Sequence, residues 1–174
     1  MMSLAKSAHS TKPQPCCALT GAASGFLLLL LLVAQPALAD SNGILLLRQA
    51  DQQHALTLAD LDQLPQQKAR FQAAWGPEGQ WQGVYLQDLL SHYQLHHFQD
   101  IRLSALNDYR IRLTLEEISA GQPVLATRFN GMPIGLEHNG PVILIWPRQA
   151  QAVLDGTAPL APWIWSLAEI RVRP

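Results

Sequence analysis

Residues 104–113 read SALNDYRIRL, an Asn-Asp pair directly before an alternating, strand-like run. Asn107 and Asp108 have two readings: ordinary turn residues, or a turn that holds the Asp108 carboxylate at the lip of a pocket. Trp163-Ile164-Trp165 is the second feature with chemical potential. Two Trp at spacing two in a strand point to the same face, either as core or as part of a site. A flat aromatic platform beside a carboxylate suits a flat, hydrogen-bonding heterocycle. Stacking secures the ring face, and a carboxylate accepts two parallel N–H bonds from a guanidine-like edge. Arg128 could add donors to a ring carbonyl. The sequence leaves open whether these residues converge.

Other chemistries find little support. His92 and His96 have the i, i+4 spacing of a chelating pair, with His97 adjacent. No third ligand follows at a recognisable spacing, so a solvated helix end is expected. The chain has no GxSxG nucleophile elbow and neither of the phosphate loops GxGxxG and GxxxxGK[ST]. Its two cysteines, Cys16 and Cys17, both lie in the N-terminal leader. The remainder therefore has no disulfide, no thiolate metal ligand and no nucleophilic thiol.

That leader has a recognisable order. Lys6 and Lys12 precede the apolar run Gly25 to Ala34, Pro36 follows, and Ala37-Leu38-Ala39 is a small-x-small cleavage site. The run is shorter than the roughly 20 residues of a spanning helix. A secretory signal peptide over 1–39 is expected, the alternative being an uncleaved membrane anchor. No Cys follows the run, which argues against a lipoprotein. The expected mature chain, 40–174, is periplasmic and about 135 residues long, enough for one domain with its own core. Without the two leader lysines it carries ten cations against thirteen carboxylates, a formal charge of −3. No basic stripe is visible, so nucleic acid is not an expected partner.

The elements that must position these residues are short. Ile44 to Arg48 reads as a first strand. Thr57-Leu-Ala-Asp60 is a capping box opening a helix that stops before Pro65. Lys68 to Phe71 reads as a strand and Gly76-Pro77-Glu78-Gly79 as a turn. Val84, Leu86, Leu89, Leu90 and Tyr93 recur at helical spacing and predict one amphipathic helix over 84–93. Ile101 to Ala105 and Tyr109 to Leu113 alternate across Asn107-Asp108 and predict a hairpin. Thr114-Leu-Glu-Glu117 is a second capping box, with its helix ending at Gly121. Val124 to Phe129 is a strand, Asn130-Gly131 a sharp turn, and Val142 to Trp146 a buried strand. Arg148 to Pro162 reads as a polar loop, and Leu167 to Val172 as the last strand. Helices and strands mix without a βαβ rhythm, so the class is α+β in a single domain without repeats.

Taken together, LNDYRIRLTLEEI, PVLATRFNGMPIGLEHNGPVILIWP and WSLAEIRV resemble the molybdopterin-binding domain of the sulfite-oxidase family. The resemblance spans about Leu56 to Val172, and its most specific part is the NG-x-P to NGP-apolar-P stretch, Asn130 through Pro147. It implies a sulfite-oxidase-like domain with a mixed sheet and short helices. The family's enzymes hold molybdenum through a cysteine thiolate. They also carry an Arg in the apolar strand after Gly-Pro, where this chain has Ile143. Their C-terminal Y-G-x-K-S-x-K pattern supplies two Lys for the cofactor phosphate, and those positions align with Trp165 and Ala168 here. Apolar residues in place of cations leave a buried phosphate unneutralised.

These departures make the chain similar to the small periplasmic members of the family, which bind pterins without molybdenum. They imply a non-catalytic sensor that relays pterin availability to the periplasmic portion of an inner-membrane enzyme of cyclic di-GMP turnover. On that resemblance Asp108 grips the 2-amino-4-oxo edge of the pterin, and Asn107 and Tyr109 shape the rim. Trp163 and Trp165 stack, and Arg128 donates from the second side. Two alternatives stay open: a molybdopterin oxidoreductase or subunit of one, and an interaction module that binds no ligand. Fold alone does not choose among them.

Overall fold

Leu45 and Leu47 of β1 (Leu45–Gln49) are buried while Leu46 and Arg48 are only partly so, the period-2 pattern of a strand covered on one face. The computed structural model describes residues 43–95 and 97–173. The expected leader, its cleavage point after Ala39, both cysteines and His96 lie outside the described residues.

Two five-stranded sheets carry the fold. In the first, β1 pairs antiparallel with β2 (Gln52–Leu56) and parallel with β10 (Leu167–Arg173). β10 pairs antiparallel with β5 (Asp100–Ala105), and β5 with β6 (Arg110–Thr114). In the second, β3 (Gln66–Gln72), β4 (Glu78–Tyr85) and β7 (Val124–Phe129) run antiparallel. β8 (Met132–Pro133) and β9 (Ile143–Ile145) both pair with β7. One hydrophobic cluster joins the two, with Leu47, Ile101, Leu103 and Ile170 from the first sheet and Val84, Leu125, Ile143 and Leu144 from the second. β9 is buried at all three residues, as expected for a continuous apolar run.

Both capping boxes form. In α1 (Leu58–Asp62) the Asp60 amide donates to Thr57 Oγ1 at 3.2 Å, and the Thr57 amide donates back to Asp60 Oδ2 at 2.8 Å. Thr114 and Glu117 repeat this at α3 (Leu115–Gly121). The β5–β6 hairpin also forms. Asp108 takes a left-handed φ of +65° in its turn, a conformation that Asp tolerates better than most residues.

Four expectations are corrected. The segment 84–93 is not one helix: Val84 and Tyr85 end β4, and α2 (Leu86–His92) begins only after them. Pairing of β4 with strands on both sides overrides the helical spacing. The loop 148–162 contains α4 (Ala150–Leu154), whose Ala150 and Val153 are buried at i, i+3. Trp163 to Trp165 are not a strand, because only Ile164 makes an isolated bridge, to Leu144. The absence of a basic stripe holds for the sequence but not for the fold. Strand register aligns Arg48, Arg171, Arg102 and Arg112 across β1, β10, β5 and β6.

Candidate functional site

Six aromatic rings from three separated stretches of chain, the β3–β4 hairpin, β7 and residues 163–165, meet against the second sheet. Phe71 of β3 stacks on Trp81 of β4 at 5.8 Å, and Trp81 meets Phe129 of β7 at 4.7 Å. Trp75, in the loop between β3 and β4, lies edge-on to Trp163 and to Trp165, at 5.3 Å in each case, and to Trp81 at 6.1 Å. Phe71 meets Trp163 at 5.9 Å. Trp163 is almost fully buried and Trp165 partly so. The indole nitrogens of Trp81, Trp163 and Trp165 are buried and donate to no protein acceptor, a condition most buried N–H groups avoid.

Two clefts flank this wall. The smaller, about 260 Å³, is lined by Asn107, Tyr109, Trp163 and Trp165, with Ala105, Leu160 and Ala161. Tyr109 Oη donates to the Ala161 carbonyl at 2.7 Å, and Asn107 Oδ1 accepts from the Tyr109 amide at 3.2 Å. The larger, about 650 Å³, is lined by Trp75, Trp81 and Phe129 and by the segment that carries Met132, Ile134, Glu137, His138 and Asn139. Only the larger lies within the ~300–1,000 Å³ usual for a small-molecule site. Trp75 lines the larger cleft and abuts Trp163 and Trp165, which line the smaller, so these three rings stand between the two.

The larger cleft also has a carboxylate. The Glu137 carboxyl is drawn below the usual range by its own backbone N–H and then by hydrogen bonding to His138, and its side chain is 71% exposed. His138 Nδ1 lies 3.0 Å from Glu137 Oε1. Gly135 makes room for this side chain, because a Cβ there would collide with the carboxylate.

Four of the six residues singled out from the sequence therefore line one cleft, and two do not. Asp108 is turned outward, its side chain 87% exposed and paired to Arg110 Nη2 at 2.9 Å. Its neighbours Asn107 and Tyr109 take the cleft side of the turn. Arg128 alternates with Phe129 along β7, so it projects from the opposite face and donates to the Asp62 carboxylate at the end of α1. Neither reaches the aromatic wall. Among the described residues no three His, Cys, Asp or Glu are grouped as metal ligands. His92 and His97 are exposed, and His92 lies edge-on to Tyr93 at 5.1 Å.

Sequence reasoning missed Trp75, Trp81, Phe129, Glu137 and His138. The signal for the last two was present, since both lie inside the Asn130 to Pro147 stretch whose pattern was the most distinctive in the chain.

Residues 45–153, which include that stretch, match the oxidoreductase molybdopterin binding domain family. The chain belongs to this family. Its fold is similar to that of the sulfane dehydrogenase SoxCD from Paracoccus pantotrophus, with a TM-score of 0.55 and 16% identity. The likeness covers 74% of this chain and 37% of that one, so the chain spans well under half the length of its neighbour. No curated protein matches the sequence.

The residues present do not fit the metal-bearing cofactor that the family name implies. No cysteine occurs after Cys17, so a thiolate ligand cannot come from the described residues. Ile143 is completely buried within β9, paired to Ala126, and offers no charge. Ala168 and Trp165 are likewise uncharged, and Ala168 sits at a register shift of β10 against β5. None of these three side chains supplies a counter-ion for a buried phosphate, and the cations near Ala168 are Arg102, Arg110 and Arg171 of the outer sheet face. An aromatic wall with one carboxylate suits a neutral flat ring.

Proposed function

We propose that this member of the molybdopterin-binding domain family is a non-catalytic binder of a metal-free pterin, and that it acts as a sensor. The observation that carries the reading is the larger cleft, where Trp75, Trp81 and Phe129 share a lining with the ionised carboxylate of Glu137. A pterin presents a flat face for the rings and two parallel N–H donors on its 2-amino-4-oxo edge for the carboxylate. Glu137 thus takes the part that the sequence assigned to Asp108.

The unsatisfied indoles give such a ligand something to change. The donors of Trp81, Trp163 and Trp165 have no protein acceptor, so a ligand that offers ring oxygen and nitrogen acceptors within their reach would favour a shifted wall. Trp163 and Trp165 also line the smaller cleft, whose rim is the β5–β6 turn. Asn107 and Tyr109 face that cleft, while Asp108 and Arg110 lie on the outer surface. This turn is the element placed to carry occupancy to a partner, by the differential affinity of ligand for two states. The partner is a signalling protein at the inner membrane, of the class that makes or degrades cyclic di-GMP, with the sensor in the periplasm.

Titration with dihydro- and tetrahydropterins, followed by tryptophan fluorescence, tests the binding step. Saturable quenching at one site per chain is expected, and no change at millimolar pterin contradicts the proposal.

A further inference from the structure

The outer face of the first sheet gathers six of the chain's nine arginines. Arg48, Arg171, Arg102 and Arg112 stand in one register row across four strands, with Arg173 and Arg110 beside it on β10 and β6. Directly opposed like charges destabilise a sheet. Three carboxylates offset part of this. Glu169 accepts from Arg171 Nε at 2.9 Å and lies 3.9 Å from Arg48, Asp100 lies 4.0 Å from Arg173, and Asp108 pairs with Arg110. Arg102 and Arg112 have no carboxylate partner among the described residues. Repulsion from Arg173 first, then desolvation, then Arg112, Arg110 and Arg171, draws Arg102 below its ordinary pKa. A concavity of about 360 Å³ lies on this face between Arg102, Arg110, Arg171 and Glu169.

A face that keeps this repulsion in an acidic chain is built to meet negative charge. We propose that it docks an acidic segment of a partner protein, with Arg102 and Arg112 as the anchoring cations. Planar guanidinium forks match carboxylates bidentately, and interspersed carboxylates at the edges supply register against a partner of mixed charge. Lipid and nucleic acid fit less well. The large exposed hydrophobics, Leu106, Tyr109, Leu115, Met132, Leu136 and Leu154, all lie outside β1, β10, β5 and β6. The row therefore has neither the apolar residues that insert into a bilayer nor the aromatics that stack on bases. The inference is independent of what the aromatic clefts hold.

The test uses a fluorescein-labelled octaglutamate peptide and the full chain, with binding read by anisotropy at low and physiological salt. Arg102→Gln/Arg112→Gln should lower affinity about tenfold or more. The off-face control Arg70→Gln/Arg148→Gln should change it less than twofold. Thermal melting separates docking from folding, since removing the unpaired cations should leave Tm unchanged or raised. Equal loss in both double variants, or no measurable peptide binding, would overturn the proposal. So would tighter binding of phosphatidylglycerol vesicles or of a single-stranded oligonucleotide.

Discussion

Tyr109 donates its hydroxyl to the carbonyl of Ala161 across 52 residues of chain, tying the β5–β6 turn to the segment that carries Trp163 and Trp165. Both residues line the smaller cleft. Because Tyr109 is itself exposed, water competes for the bond, and its net value lies at the low end of ~0.5–1.5 kcal/mol. Tyr109→Phe should therefore lower stability by under about 1 kcal/mol while freeing the turn. Faster amide exchange at Ala105 and Asp108, which bond within that turn, checks it. Unchanged exchange would show that the turn holds without the tie.

Glu137→Gln tests the carboxylate of the larger cleft. Water screens an exposed carboxylate, so pterin affinity should fall by up to about tenfold. Glu137 is mostly exposed, so the melting temperature should not move. Gly135→Ala should give a similar loss by pushing the carboxylate aside, since its new methyl meets only the flexible end of that side chain. Asp108→Ala should leave affinity within twofold, which distinguishes the two acidic candidates.

Trp163 and Trp165 should separate by burial. Trp163 is 4% exposed and packs against Phe71 and Trp75, so Trp163→Ala should cost ~3–5 kcal/mol in chemical denaturation. Trp165→Ala should cost distinctly less, since its ring is only partly buried.

Acid stability should carry the signature of the first capping box. Hydrogen bonds from Thr57, from its backbone first and then its side chain, hold the Asp60 carboxyl below the usual aspartate range. A depressed folded pKa means stability that is fully present above pH ~4 and lost as pH falls through the folded value. Asp60→Asn should lower stability slightly at neutral pH, because the carboxylate is largely solvated, and flatten the Tm profile between about pH 5 and 2. A profile parallel to that of the unmodified chain would remove this role.

Much of this fold is legible because its signals are local. Thr57/Asp60 and Thr114/Glu117 name their helices within four residues, and the hairpin declares itself by alternation on either side of Asn107-Asp108. β4 was hidden because Val84, Leu86, Leu89 and Leu90 keep helical spacing across a strand–helix junction that only pairing with β3 and β7 reveals. β2 was hidden for another reason: its residues are polar and mostly exposed, and it is held as an edge by β1 alone. The site is less legible than the fold. Phe71, Trp75, Trp81 and Phe129 come together through tertiary contacts that no spacing encodes. The arginine row likewise exists only through the register of four strands. Asp108 sits at a left-handed turn position and pairs outward with Arg110, and the departure of Arg128 follows from alternation with Phe129.

The central claim is that this member of the family carries a pterin without molybdenum. Protein exported to and purified from the periplasm, with no ligand added, should be denatured and its released small molecules measured by fluorescence and mass, alongside molybdenum by elemental analysis. The account predicts a pterin approaching one per chain and no molybdenum. Molybdenum together with a phosphorylated pyranopterin would contradict it and return the chain to the oxidoreductases of its family.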